Sequence, residues 1–305
     1  MGVTVTRIGY HGWPDSYLIA NGMVEAVIVP AIGRVMQFRL AGDREGTFWE
    51  NRALDGQLHN AASDQWMNFG GDKCWPAPQS AWGRQQDRDW PPPTAFDSQP
   101  MTAVAGECGL VLTSVADPGY GIEVVRHVRL EAGRPIMRIC SEFHKIHGDA
   151  VRAGVWTITQ MQEPEQISIL LPAMSKFSDG YIRLMESAPA KLKIDGRLLT
   201  FVRHPSAHVK IGTEADNLVW LGTNSVVRID VERQPGEYPG GGCVTEAYTN
   251  PGAMNYVELE TLGPLITLRP GDRTELTTVY TILHRSTADP EVEARGALRT
   301  AEYRR

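Results

Sequence analysis

Residues 23–30 (MVEAVIVP) form a β-branched run, and residues 120–131 (YGIEVVRHVRLE) and 136–146 (IMRICSEFHKI) partly alternate apolar and polar positions. A period of two puts the apolar side chains on one face of an extended chain, so these segments predict half-buried strands. Residues 207–212, 218–221, 226–231, 256–262 and 275–283 continue the series. Turn formers stand between them: Ala41-Gly42-Asp43, Pro118-Gly119, Ala132-Gly133, Asp195-Gly196, Ala215-Asp216-Asn217 and Pro270-Gly271. Asp195-Gly196, flanked by KLKI and RLLTF, predicts a two-residue hairpin turn. Many strands at a spacing of about 8–12 residues predict an all-β sandwich or barrel. One helix is expected, at the C-terminus. Asp289 can cap it, Pro290 suits its first position, and Glu291 and Glu293 suit its first turn, so it runs from Pro290 to about Thr300.

Two stretches break this rhythm. Residues 51–100 are rich in proline and tryptophan, and residues 234–255 contain Gly240-Gly241-Gly242 and Pro251-Gly252. Both read as long loops, the kind that carries function when ordered. With no internal repeat or linker, the 305 residues read as one domain, residues 1–305.

Composition narrows the classes. The net charge of -6 argues against nucleic acid, which requires a basic stripe. No run of about 18 apolar residues predicts a membrane span, and the opening MGVTVTRIGYHGW is no secretory signal. Cys74, Cys108, Cys140 and Cys243 make neither a CxxC pair nor a zinc pattern, and read as reduced thiols of a cytoplasmic protein. Phosphate-loop, dinucleotide, HExxH and GxSxG motifs are absent. His144 and His147 are three apart, but their context is strand followed by loop, so they read as solvated loop histidines. No metal and no cofactor is expected.

Candidate chemistry lies in two segments. Residues 66–90 (WMNFGGDKCWPAPQSAWGRQQDRDW) hold four of the eight tryptophans, Trp75 and Trp82 among them. An indole offers a flat apolar face and one N–H donor, a surface on which the C–H face of a pyranose stacks. Asn68, Asp72, Lys73, Gln79 and Arg84 supply polar partners for hydroxyls. Gly70-Gly71 permits close backbone approach or a positive φ. In residues 256–260 (YVELE), strand geometry puts Tyr256, Glu258 and Glu260 on one face. Two neighbouring carboxylates in a dry pocket raise each other's pKa, so one can serve as a general base.

At these segments the chain resembles the galactose mutarotase (aldose 1-epimerase) superfamily, and most closely its DUF4380-like branch. The segments that carry the likeness are Tyr248-Thr249-Asn250, the 257–260 strand, Leu268-Arg269-Pro270-Gly271-Asp272 and the strand from Thr277, together with Asn68-Phe69-Gly70-Gly71, GGDKxWPAPQ, YVELETLGPL and Gly33-Arg34-Val35. The resemblance implies a large antiparallel β-supersandwich with a short C-terminal helix, and a small-molecule sugar or oligosaccharide as partner, with neither nucleic acid nor membrane. By the same alignment Glu260 is the catalytic base, with Glu258 one pleat away. Arg34 falls at a substrate-binding arginine. Superfamily members carry one histidine after the Gly-Gly loop and another on a mid-chain strand, as general acid. Here those places hold the Asn68 segment and residues 155–160 (VWTITQ), where Trp156 and Gln160 can stack on and bond a sugar but deliver no proton. Lys73 or Asp72 would then substitute as the acid.

The expectation is therefore aldose 1-epimerase-like acid/base chemistry at an anomeric carbon. A non-catalytic carbohydrate-binding protein and polysaccharide lyase or hydrolase chemistry are the alternatives. All of them require the tryptophan-rich segment and the late acidic strand to meet as opposite walls of one polar cleft.

Overall fold

The computed structural model describes residues 2–60 and 65–299. Two antiparallel sheets pack face to face. The first, of eleven strands, runs in the order Thr4–Tyr10, Trp13–Ala20, Val24–Val29, Arg34–Leu40, Asp72–Ala77, Val151–Gln162, Tyr256–Leu262, Thr245–Thr249, Val209–Thr213, Tyr181–Glu186, and the short Ile266–Leu268 also pairs with Val151–Gln162. The second, of ten strands, runs Lys193–Asp195, Leu198–Phe201, Gln166–Leu170, Asn217–Leu221, Ser225–Val231, Arg273–His284, Ile136–Lys145, Ile122–Leu130, Gly109–Thr113, Thr102–Ala105. The main apolar core fills the space between them, with Val128, Ile139, Phe143 and Ile282 of the second sheet meeting Ile28, Phe38, Leu259 and Ile211 of the first. The expected antiparallel supersandwich is thus the observed fold.

The alternating segments form the expected strands with shifts of a few residues at their ends. Helix Pro290–Arg299 is the expected terminal helix, Thr300 lying outside the described residues. Asp289 caps it, its Oδ1 accepting from the backbone N–H groups of Glu291 (2.9 Å) and Val292 (3.2 Å). Ala294, Ala297 and Leu298 press its apolar side onto Leu198, Val219, Leu221 and Val226. The hairpin near Asp195 is displaced by one residue: Asp195 pairs with Leu198, so Gly196 and Arg197 make the turn.

Both stretches read as loops contain strands. Asp72–Ala77 lies in the middle of the eleven-stranded sheet, buried along its whole length. Thr245–Thr249 lies two strands away, inside residues 234–255. Alternation is invisible in Asp72–Ala77 because both its faces are buried and both carry polar groups. Asp72 points between the sheets. There it meets Arg126 of the opposite sheet in a fully buried ion pair, and its Oδ2 accepts from Thr159 Oγ1 and Tyr280 Oη, each at 2.8 Å. A charge in the sandwich interior is tolerated only with such complete pairing.

Candidate functional site on the outer face of the large sheet

Register decides which side chains meet. In antiparallel sheets residues directly opposite share a face. Strand Val151–Gln162 pairs with Asp72–Ala77 on one side (Trp156↔Trp75, Ile158↔Lys73) and with Tyr256–Leu262 on the other (Gln160↔Glu258, Ile158↔Glu260). Beyond that, Tyr248 stands opposite Glu258, Glu246 opposite Glu260, and Lys210 opposite Tyr248. Lys73, Trp75, Trp156, Gln160, Glu258, Glu260, Glu246, Tyr248 and Lys210 therefore share the face turned away from the second sheet. The tryptophan-rich segment and the acidic strand do meet, as neighbouring parts of one floor and not as facing walls.

Two cation–carboxylate units occupy that floor. In the first, Lys73 Nζ is 3.4 Å from Glu258 Oε1 and lies over the rings of Trp75 (4.9 Å) and Trp66 (5.5 Å). Gln160 Nε2 donates to the same Glu258 oxygen at 2.9 Å. Burial pushes the Lys73 ammonium below its ordinary pKa, against the pull of Glu258. In the second, Lys210 Nζ bridges Glu246 (2.7 Å) and Glu260 (2.9 Å) and lies 4.7 Å over Trp156, whose indole N–H donates to Glu260 at 2.6 Å. Burial disfavours the charge of Lys210, but the two carboxylates outweigh it and raise its pKa. Glu260 is pushed up to about 8 by burial, with Glu246 and Glu258 adding to the shift and Lys210 opposing it. Its second oxygen, Oε1, is buried without a hydrogen-bond partner.

Exposure separates the two carboxylates. The Glu260 side chain is 0 % exposed and that of Glu258 13 %, so Glu258 is the one open to a ligand. Lys73 is likewise sealed. Arg34 is fully buried: it pairs with Asp97 at 2.7 Å and donates to Gly70 O at 3.3 Å, so it holds the loop in place. Asp97 also accepts from the indoles of Trp75 (2.9 Å) and Trp66 (3.1 Å).

Gly70 and Gly71 both have positive φ, but the close approach they permit is to protein. A Cβ at Gly70 would lie 2.2 Å from Trp49 O, and one at Gly71 2.6 Å from Val35 O. Asn68 is buried beside the Tyr256 phenol. Asp72 points to the sandwich interior, away from this face. Trp82 is 0 % exposed and spends its N–H on Pro76 O, behind Trp75 and Trp90. The indole surface that reaches solvent is that of Trp90 and Trp66.

Sequence reasoning passed over Lys210, Glu246 and Asp97, and over a pair at the rim. His208 Nδ1 and Tyr248 Oη are 2.5 Å apart, their rings stack, and the Tyr248 hydroxyl donates to Asn250 Oδ1 at 3.1 Å. Extending the period of two backward from Tyr248 to Glu246, and along 208–210, would have brought all but Asp97 onto the floor. Beyond Trp49, which packs on Tyr256 at 4.7 Å, the same face continues into a cleft of about 650 Å³. Arg39, Arg44, Arg52, Gln162, Glu163 and Asn255 are among its lining residues.

No known family profile and no curated protein matches the chain. Among solved structures the fold is that of galactose mutarotase-like and aldose 1-epimerase proteins. A candidate mutarotase from Salmonella typhimurium superposes with a TM-score of 0.57 at 11% identity, over 93% of this chain and 94% of its own. A candidate aldose 1-epimerase from Escherichia coli K12 gives 0.56 at 11%, over 93% and 100%. A galactose mutarotase-like protein from Lactobacillus casei gives 0.58 at 9%, over 87% and 99%. Among the described residues no helix is long and apolar enough to cross a membrane.

Proposed function

We propose that the outer face of the eleven-stranded sheet binds a sugar and exchanges its anomers. Glu258 accepts the proton of the C1 hydroxyl. The His208–Tyr248 pair delivers a proton to the ring oxygen. The C1–ring-oxygen bond breaks as the C1 carbonyl forms, and reclosure on the other face of that carbonyl returns both protons. The observation that carries this reading is the position of Glu258. It is a partly open carboxylate, fixed from two sides by Lys73 and Gln160, on a floor flanked by the indoles of Trp66 and Trp90. Such fixing holds the base in reactive geometry. Tyr248 stands opposite Glu258 in register; its hydroxyl donates to Asn250 Oδ1 and pairs with His208 Nδ1, so delivery to the sugar requires it to turn from Asn250 toward the ring oxygen. Glu260 is the sealed neighbour. It is held by Lys210 and Trp156. Solved neighbours named as mutarotases and an aldose 1-epimerase support the substrate class.

The test is NMR of anomer exchange on a panel of freshly dissolved aldoses. Wild-type protein is expected to accelerate exchange for at least one of them, and Glu258→Gln to lose about 10²–10⁴ of that rate. Exchange at the normal rate in Glu258→Gln removes Glu258 from the base role. A second reading, sugar binding without turnover, is favoured by residues 155–160, the segment where the superfamily resemblance calls for a histidine and none stands. Calorimetric sugar binding with no anomer exchange would select it.

A further inference from the structure

The outer face of the other sheet carries a second chemical cluster. On Ile136–Lys145, Ile139, Ser141 and Phe143 face the core, while Cys140, Glu142 and His144 face outward. Register adds His127 opposite Cys140 from strand Ile122–Leu130, and Glu275 opposite Glu142 from strand Arg273–His284. Thiol, imidazole and carboxylate groups from three strands thus share one patch.

Glu142 is its centre, with Oε1 2.9 Å from His127 Nε2 and Oε2 2.6 Å from His144 Nε2. One ligand atom each from Cys140, Glu142 and Glu275 lies within 4.8 Å of the others. Carboxylates placed directly opposite repel, and Glu142 and Glu275 are so placed, with the Cys140 thiol beside them. A dication among these donors neutralises that repulsion and takes the thiol as thiolate.

We propose that Cys140, Glu142 and Glu275 form a binding site for a borderline-soft divalent transition ion of the zinc type, with water in the fourth position and His127 and His144 orienting Glu142 from outside. One sulfur and two carboxylate oxygens suit a zinc-type ion, whereas magnesium and calcium take oxygen alone. Binding displaces the Cys140 proton to solvent, so affinity rises with pH.

The test uses the full chain, stripped with chelator. Titration with zinc chloride is expected to show one ion per chain and to raise the melting temperature. Cobalt chloride is expected to give a thiolate-to-cobalt charge-transfer band. Cys140→Ser abolishes that band, and His127→Gln and Glu275→Gln each weaken zinc binding about tenfold or more. Cys108→Ser, which removes an exposed thiol outside the cluster, leaves both readouts unchanged. Circular dichroism of the metal-free variants establishes that they fold, and Glu275 is exposed enough to be changed without disturbing the core. A charge-transfer band that survives Cys140→Ser overturns the proposal. So does zinc affinity in wild type no greater than in the Cys140→Ser, Glu142→Gln double variant.

Discussion

The two lysine–indole–glutamate units on the floor of the large sheet are built from the same parts and differ in what surrounds them. Lys73 lies over Trp75 and pairs with Glu258, a carboxylate with an open side. Lys210 lies over Trp156 and pairs with Glu260 and Glu246, both enclosed. Cation–π and ionic contacts are stronger where water is excluded, so the second unit is the more rigid and the more costly to break. The first keeps a lone pair available for a ligand. Position along one strand, two residues apart, separates a carboxylate with an open side from one enclosed beside Lys210.

Four substitutions bear on this contrast, the largest effect first. Lys210→Met leaves the buried Glu246 carboxylate without its counterion beside Glu260, and is expected to destabilise the fold by about 3–5 kcal/mol in urea unfolding at neutral pH. A loss under 1 kcal/mol would mean that water reaches that unit. Glu258→Gln takes the paired carboxylate from the sealed Lys73 and is expected to cost about 1–3 kcal/mol, less than Lys210→Met, together with the rate loss stated above. A stability loss as large as that of Lys210→Met would erase the distinction between the units. Lys73→Met is expected to cost about 1–3 kcal/mol, less than Lys210→Met, because water can replace the ammonium at the open side of Glu258. The last effect is read as a slope with pH and not as a loss at one pH. Glu260, held up to about 8 against an ordinary 4.5, keeps its proton in the folded protein where the unfolded chain has released it. Its contribution therefore falls as pH rises from about 4.5 to about 8. Melting temperatures across that window should decline less steeply in Glu260→Gln than in wild type.

The sandwich was legible because its strands alternate, and the terminal helix because Asp289 and Pro290 mark its start. The floor of the site was legible in part. Period two put Glu258 and Glu260 on one face, and the indole-rich run pointed to Lys73 and Trp75. What escaped was the strand Asp72–Ala77 itself, since a segment polar on both buried faces shows no periodicity. The difference in exposure between the two glutamates also escaped, because it depends on Lys210 and Glu246, which come from strands distant in sequence. Asp97 is a loop residue whose three partners, Arg34, Trp66 and Trp75, are named only by the fold. The patch around Glu142 lay outside sequence reasoning for the same reason: His127 and Glu275 reach it from two other strands, while sequence proximity drew attention to His147.

Asp72 and Lys73 are consecutive residues that point in opposite directions, one bolted to Arg126 and Tyr280 of the far layer, the other standing in the floor. The bolt denies the floor any freedom to slide when something lands on it. Freedom to move is thereby left to the surrounding rim, the stretches bearing Trp66, Trp90 and His208.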